Sequence, residues 1–111
     1  MKYIPEAGDI IVIDFNPQRG HEIQKKRPTL VVSNRAFSRI TGMVMVCPIT
    51  STIRNYPLRV ALDARTETHG EIACDRLRTL DYIARGCKKV EAAPKDILDA
   101  AIKILNIIVG E

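Results

Sequence analysis

The sequence predicts a mainly β fold, a small and strongly bent barrel that carries one C-terminal helix. The chain contains about six short runs rich in β-branched residues, and tight turns separate them. No long helical pattern lies between these runs, as a parallel βαβ sheet would require. A helical pattern begins only after Pro94.

The length and composition indicate one ordinary globular domain. The chain has 111 residues, enough for one hydrophobic core and too few for two, so residues 1–111 are assigned to a single domain. The longest apolar runs are far shorter than the ~20 residues needed to cross a bilayer. Residues 1–6 lack the apolar segment of a signal peptide. We therefore expect a cytoplasmic protein with no membrane segment.

The first strands are predicted from three β-branched runs. Residues 10–15 follow a turn, and their consecutive apolar side chains favour a strand covered on both faces or one wrapped into a small barrel. Residues 29–32 form the second strand and residues 43–49 the third, which Pro48 places at an end or an edge. Between the second and third strands, residues 33–40 are predicted to begin with a cap and make a single helical turn.

The later strands are shorter. Residues 58–62 alternate as a half-exposed strand does. Residues 71–74 and 77–81 are predicted as two short strands or one bulged strand. Residues 84–90 are predicted as a weaker strand, on an edge that its lysines protect.

The C-terminal helix is predicted from its caps and its apolar stripe. It begins at Pro94, with Asp96 near the positive end of the helix dipole, and ends at Gly110. Ile107 lies off the stripe, which is either incidental or marks a second surface such as a homodimer interface. The stripe predicted to face the core consists of Ile97, Leu98, Ala101, Ile102, Ile104, Leu105, Ile108 and Val109.

The most unusual segment is the loop of residues 20–28, which leads into the second strand. It holds one carboxylate, one imidazole and three cations. A carboxylate among cations stays ionised and can accept a proton, and a guanidinium stabilises an anion, so the loop suits phosphodiester chemistry. The alternative is a solvated, charged hairpin loop. Pro28 forces Arg27 towards an extended backbone, which ties Arg27 to a rigid element and favours a functional role.

The excess positive charge lies in one quarter of the chain. The net charge is +4, but residues 16–40 hold six Lys or Arg and one acid, and the remaining residues carry a net −1. A localised basic segment favours a polyanionic partner, either nucleic acid or an acidic protein segment. The alternative is a basic surface that only maintains solubility.

Other polar features are less specific. Three hydroxyls at residues 50–52 follow the third strand, where they can simply satisfy turn backbone groups. Arg76 and Arg78 are spaced to project from one strand face. The three cysteines lie far apart, and no CxxC or HxxxH spacing occurs, so we expect no structural metal.

Five short motifs, in order along the chain, resemble the MazF/PemK family of bacterial toxins. The resemblance runs from about Lys2 to Gly110. The sequence departs from the family pattern at Ile23, where glutamine is frequent, and at Lys25-Lys26, where glycine is common, so no cleavage sequence is carried over. The motifs are Gly8-Asp9-Ile10, Gly20-x-Glu22, Arg27-Pro28, Pro48-Ile49-Thr50 and Leu77-Arg78-Thr79-Leu80-Asp81.

The resemblance implies an SH3-like barrel of the CcdB/PemK type, a homodimer, and an endoribonuclease (an mRNA interferase) that uses neither metal nor cofactor. The implied substrate is single-stranded RNA, cut at short sequences. The implied partner is a cognate antitoxin whose acidic, flexible tail lies over the RNA-binding face. The implied catalytic residues are Arg27 and Thr50, with Glu22 as a third participant.

The chemistry of RNA cleavage gives each of these residues a role. The 2′-OH of RNA is its own nucleophile, so the products are expected to end in 2′,3′-cyclic phosphate and 5′-OH. Arg27 and Thr50 would donate to the phosphorane. Glu22 would take the 2′ proton, and His21 is the rival base because its unperturbed pKa lies closer to neutrality. Further RNA contacts are expected from His21, Gln24, Lys25, Lys26, Ser51, Arg54 and Arg78.

Two other functions are open to the same fold. A non-enzymatic toxin could bind DNA gyrase, since fold does not settle function. A nucleic-acid-binding module without catalysis would need only the basic loop. The combination of Glu22, Arg27 and Thr50 favours the nuclease, because neither alternative requires it.

Overall fold

Seven strands, three helices and one 3-10 turn make up most of the residues that the structure describes. The structure, a computed structural model, describes residues 2–15 and 26–110. The strands are β1 (Asp9–Asp14), β2 (Lys26–Val31), β3 (Met43–Thr50), β4 (Arg59–Ala61), β5 (Glu71–Ala73), β6 (Arg78–Asp81) and β7 (Cys87–Ala92). The helices are α1 (Arg35–Thr41), α2 (Tyr82–Arg85) and α3 (Lys95–Val109), and the 3-10 turn is Cys74–Arg76.

The strands form one antiparallel sheet with β3 at its centre. Their order is β4-β5-β3-β2-β1-β7, and β6 also pairs with β3. Residues 43–46 of β3 pair with β6, residues 46–48 with β2, and residues 49–50 with β5. Within the described ranges no pairing joins β4 to β7, so the sheet is open at these two strands. The predicted mainly β fold with a C-terminal helix and short helical turns is confirmed.

The hydrophobic core lies on both faces of the sheet. Ile10 packs in one cluster with Leu30, Ile49 and the α3 residue Ile97. Ile11 and Ile13 pack in a second cluster, with Val31, Val44, Val46 and Leu80. The consecutive apolar residues of β1 thus mark a strand covered on both faces, as the sequence predicts.

Helix α3 covers the first cluster through its N-terminal two-thirds. Ile97, Ala101 and Leu105 are its buried residues, and Gly110 ends the helix in a left-handed conformation. The predicted stripe is wrong at its C-terminal end, because Val109 is 79% exposed and Ile108 is also exposed. The helix extends beyond the part of the sheet that it covers. Within the described part of the chain, no helix is long and apolar enough to span a membrane.

The predicted strand over residues 84–90 is wrong in its first half. Asp81 accepts a hydrogen bond from the Ala84 N–H (2.9 Å) and so caps the short helix α2. The strand itself, β7, begins at Cys87 and pairs with β1. The predicted helical turn before the third strand is confirmed as α1, whose N-cap is Asn34.

Candidate active site

The antiparallel pairing of β2 with β3 brings Arg27 and Thr50 to the same end of the sheet. Thr29 lies opposite Pro48, so the residues before Thr29 run beside the residues after Pro48. Arg27 and Thr50 both line one cleft of about 530 Å³. The cleft volume is in the range of sites that enclose small ligands. The two side chains therefore border the same cleft.

The cleft is strongly cationic. Among residues 2–15 and 26–110, its lining side chains include five guanidinium groups and two hydroxyls, and no carboxylate. These arginines come from five positions in the chain and can donate hydrogen bonds to an anion in the cleft. Their positive charges repel a cationic ligand. The arginines are Arg27, Arg54, Arg59, Arg76 and Arg78, and the hydroxyls belong to Thr50 and Thr52.

The Thr50 hydroxyl is held in place by its own turn. Its Oγ1 accepts a hydrogen bond from the Thr52 N–H (3.1 Å), which fixes the oxygen and leaves the hydroxyl hydrogen to serve as a donor. Strand β5 approaches this point closely. Gly70, with a φ of +128°, has no side chain, and a Cβ there would lie 2.2 Å from the Thr50 carbonyl oxygen. Glycine is therefore required at position 70, directly before β5.

Arg78 is oriented by an aromatic ring. Its guanidinium lies 5.1 Å from the centroid of the Phe15 ring, and both residues line the cleft. A cation stacked on a ring loses part of its rotamer freedom before any ligand arrives. Arg76 lines the same cleft from the 3-10 turn. Both arginines therefore border the cleft, but only Arg78 lies on a strand.

A buried carboxylate lies behind the cleft. Glu71, only 2% exposed, accepts hydrogen bonds from the N–H groups of Arg54 (3.0 Å) and Asn55 (3.1 Å). It also pairs with Arg59 at 3.4 Å. The pKa of Glu71 is held below its ordinary value although the side chain is buried. The largest cause is the hydrogen bond from the Arg54 N–H, and the Asn55 N–H and the Arg59 guanidinium act in the same direction. Glu71 is thus an ionised anchor for the turn that follows Thr50.

The sequence-predicted site residues divide into three groups. Arg27, Thr50, Arg54 and Arg78 line the cleft together. Lys26 and Ser51 are exposed and are not among the residues that line it. His21, Glu22, Gln24 and Lys25 lie outside the described residues.

Sequence reasoning missed Arg59, Glu71 and Phe15. Arg59 lies in a segment whose alternation indicates a half-exposed strand, yet its side chain is 7% exposed because Glu71 neutralises it. The sequence does place opposite charges, Arg59 and Glu71, on two neighbouring predicted strands. It does not give the register in which those strands pair, so the ion pair could not be predicted. Within residues 2–15 and 26–110, no three His, Cys, Asp or Glu side chains lie together in a group that could hold a metal ion.

The chain resembles known toxins over nearly its whole length. It is 37% identical to the endoribonuclease PemK of Escherichia coli over 107 residues, which is 93% of this chain and 80% of PemK. It is 34% identical to the endoribonuclease toxin MazF of Escherichia coli K12, over 98% of this chain and 97% of MazF. Its fold matches a MazE-MazF crystal structure from Deinococcus radiodurans with a TM-score of 0.89 at 34% identity, covering 97% of this chain and 98% of that one.

A family model agrees with these likenesses. Residues 6–109 match the model of the PemK-like, MazF-like toxins of type II toxin-antitoxin systems. The matched range includes every described residue that lines the arginine-rich cleft. The chain therefore belongs to the PemK-like, MazF-like toxin family, as its sequence motifs predict.

Proposed function

We propose that the protein is a toxin that acts as a metal-independent, sequence-specific endoribonuclease on single-stranded RNA. The observation that carries the proposal is that Arg27 and Thr50 line one cleft, together with four further arginines of the described chain. Relatives that are 34–37% identical are named endoribonucleases, which supports the same reaction class.

The reaction we propose starts from the substrate's own nucleophile. The 2′-OH of the nucleotide on the 5′ side attacks the adjacent phosphorus, the bond to the 5′ oxygen breaks, and the products end in 2′,3′-cyclic phosphate and 5′-OH. No covalent enzyme intermediate forms. The enzyme must then accept the 2′ proton, stabilise the phosphorane charge and supply a proton to the leaving oxygen.

Arg27 and Thr50 are suited to stabilising the phosphorane. The Arg27 guanidinium offers planar paired donors to two phosphate oxygens, and it stands on β2 rather than on a long loop. Thr50 offers one further donor, whose oxygen the Thr52 N–H already orients. Preorganised donors of this kind contribute about 3 kcal/mol each to lowering a barrier.

The remaining roles rest on residues outside the described ranges. Glu22 is the proposed base for the 2′ proton, and His21 is its rival. Among the other proposed RNA contacts, Arg54 and Arg78 line the cleft, which supports a contact with a flanking phosphate. Lys26 and Ser51, exposed near the strand ends, complete the contacts we propose for the described chain.

We also propose the family's partners for this chain. The MazF of Deinococcus radiodurans has been solved together with MazE, and we infer an equivalent cognate antitoxin with an acidic, flexible tail. An acidic tail would compete with RNA for the same arginines.

We propose further that the protein is a homodimer in the cytoplasm. Light scattering should then give a solution mass of twice 12.4 kDa.

A digest of two matched oligonucleotides tests the reaction. Purified protein is incubated in EDTA with a mixed-sequence RNA, and the 5′ ends of the fragments are sequenced to find the cleavage motif. An RNA that contains the motif is then compared with one that carries a single 2′-deoxy nucleotide on the 5′ side of the cut. We expect full cleavage of the first, with cyclic phosphate ends, and none of the second.

Two results would contradict the proposal. Cleavage of the deoxy substrate would show that the 2′-OH is not the nucleophile. Intact RNA after incubation with folded protein would leave a binding role, to gyrase or to nucleic acid, in place of the nuclease.

A further inference from the structure

A buried ion pair borders the cleft and contributes one of its walls. Arg59 Nη1 lies 3.4 Å from Glu71 Oε1, and the two side chains are 7% and 2% exposed. Arg59 also lines the cleft, whereas Glu71 does not. Burying two charges costs a large desolvation energy, so a buried pair is poor evidence for added stability. A role in positioning the backbone beside the cleft would explain why the pair lies there.

Glu71 holds the backbone that follows Thr50. The two residues lie opposite each other in the pairing of β3 with β5. From that position the carboxylate accepts the N–H groups of Arg54 and Asn55, and Asn55 adopts a left-handed φ of +54°. Asparagine adopts this conformation more readily than most non-glycine residues, and the bonds to Glu71 hold the backbone in it. The carboxylate therefore fixes the turn that carries Arg54 into the cleft.

Arg59 holds the same turn from the other side. Its Nη1 donates to the Thr52 carbonyl oxygen (3.0 Å), and its guanidinium lies 5.4 Å from the centroid of the Tyr56 ring. Tyr56 in turn donates a hydrogen bond to Asp75. The Arg59 Nε–H is buried and has no hydrogen-bond partner among the described residues. Contacts to the turn thus fix the guanidinium, and its Nε–H is the donor without a partner among the described residues.

We propose that Arg59 and Glu71 form a positioning pair that holds the turn of residues 50–56 in its reactive geometry. The pair keeps the Thr52 N–H on the Thr50 hydroxyl and keeps Arg54 facing a phosphate in the cleft. This inference rests on the proposed ribonuclease function. It adds two residues that lie outside the expected catalytic set, and Glu71 is not among the residues that line the cleft.

The test compares Glu71→Gln with the wild-type protein. The amide oxygen of glutamine can accept one backbone N–H, but the amide nitrogen cannot accept the second, and the charge opposite Arg59 is lost. We expect kcat on a single-site RNA to fall about 10- to 100-fold, since small displacements of reacting groups cost that much. Amide hydrogen exchange at Arg54 and Asn55 should accelerate, while exchange in the rest of β3 stays slow.

Arg65→Gln is the matched control. Arg65 pairs with Asp63 (2.8 Å) and Asp96 (2.9 Å), so this variant also removes an arginine–carboxylate pair, but Arg65 is not among the residues that line the cleft. Its kcat should equal that of the wild type. If Glu71→Gln yields too little folded protein, Arg59→Lys serves instead. It keeps a charge beside Glu71 but loses the forked donors, and kcat should fall in the same direction.

Two outcomes separate this inference from the proposed function. An active wild-type protein with an equally active, folded Glu71→Gln variant would overturn the positioning role alone, whatever the exchange rates. No cleavage by the wild-type protein would overturn the proposed function and the positioning role together. A fall in kcat with faster exchange confined to Arg54 and Asn55 supports both.

Discussion

Arg27 and Thr50 reach the cleft from different strands and contribute different chemistry. Arg27 brings a permanent charge on an exposed residue of β2, and Thr50 brings a neutral donor on a half-buried residue of β3. Removal of each should therefore leave the fold intact and lower turnover by a different amount.

Arg27→Ala should lower kcat by roughly 10³-fold, because arginine contacts to a transferring phosphoryl group reach that size. Circular dichroism and thermal unfolding should match the wild type, since Arg27 is exposed. Arg39→Ala, which removes an exposed arginine of α1, is the control and should cleave normally. Near-normal cleavage by Arg27→Ala would remove Arg27 from the mechanism.

Thr50→Val should lower kcat by about 10²- to 10³-fold, the usual cost of one preorganised donor. Valine preserves the shape of threonine but neither donates to a phosphate nor accepts the Thr52 N–H. Thr79→Val, on an exposed position of β6, is the matched control. Equal rates for the two valine variants would show that the Thr50 hydroxyl has no role.

The sequence predicts some of these residues well and others not at all. Arg27 stands out because it directly precedes a proline, and Thr50 because it ends a β-branched run, and both are local features. Arg59 does not stand out, since its burial depends on the pairing of β4 with β5, which brings Glu71 within reach. The alternation of apolar and polar residues along a strand predicts that such an arginine is exposed to solvent.

At the scale of the elements, the packing of β5 against β3 depends on Gly70. Alanine there would place its Cβ 2.2 Å from the Thr50 carbonyl oxygen, and φ is +128°. Gly70→Ala should destabilise the fold by about 1–3 kcal/mol from backbone strain alone, more from the clash, and should lower kcat by displacing Thr50.

Gly86→Ala is the control that separates the steric clash of an added Cβ from the backbone strain of a positive φ. Gly86 also has a positive φ, +73°, but a Cβ there meets no atom within 4 Å. We expect denaturant unfolding to show a smaller loss for Gly86→Ala, with cleavage unchanged. Equal losses in both variants would mean that the close approach of β5 to Thr50 does not matter.

The Glu71 anchor makes the turn after β3 sensitive to acid. Because the folded-state pKa of Glu71 is lowered, its stabilising contribution is complete above the unfolded value of about 4.3 and is lost as pH falls through the folded value. The free energy of unfolding of the wild type should therefore fall below about pH 4.3, and its advantage over Glu71→Gln should shrink. A constant difference between the two proteins at all pH values would contradict this.

Element boundaries show where local patterns stop being informative. The strand predicted over residues 84–90 fails because Asp81 caps a helical turn, a signal that the apolar pattern hides. The stripe of α3 fails at Ile108 and Val109, because periodicity gives the face of a helix but not how far its partner surface extends. The two-sided cover of β1 was predictable, since it is encoded in consecutive residues.

At the scale of the whole molecule, the cleft concentrates positive charge on a chain whose net charge is only +4. Binding of a non-cleavable, all-deoxy oligonucleotide should weaken with salt, with a log–log slope of about −0.7 for each phosphate contacted. Arg54→Gln should make that slope less steep by about 0.7, and Arg39→Gln should not change it. An unchanged slope for Arg54→Gln would place Arg54 away from the RNA backbone.

The position of β3 couples the cleft to the core. A single strand pairs with β2, β5 and β6 and ends at Thr50, so melting of β3 would break the ladders that hold the core and displace Thr50 at the same time. On global unfolding we therefore expect cleavage and resistance to proteases to be lost in one cooperative transition.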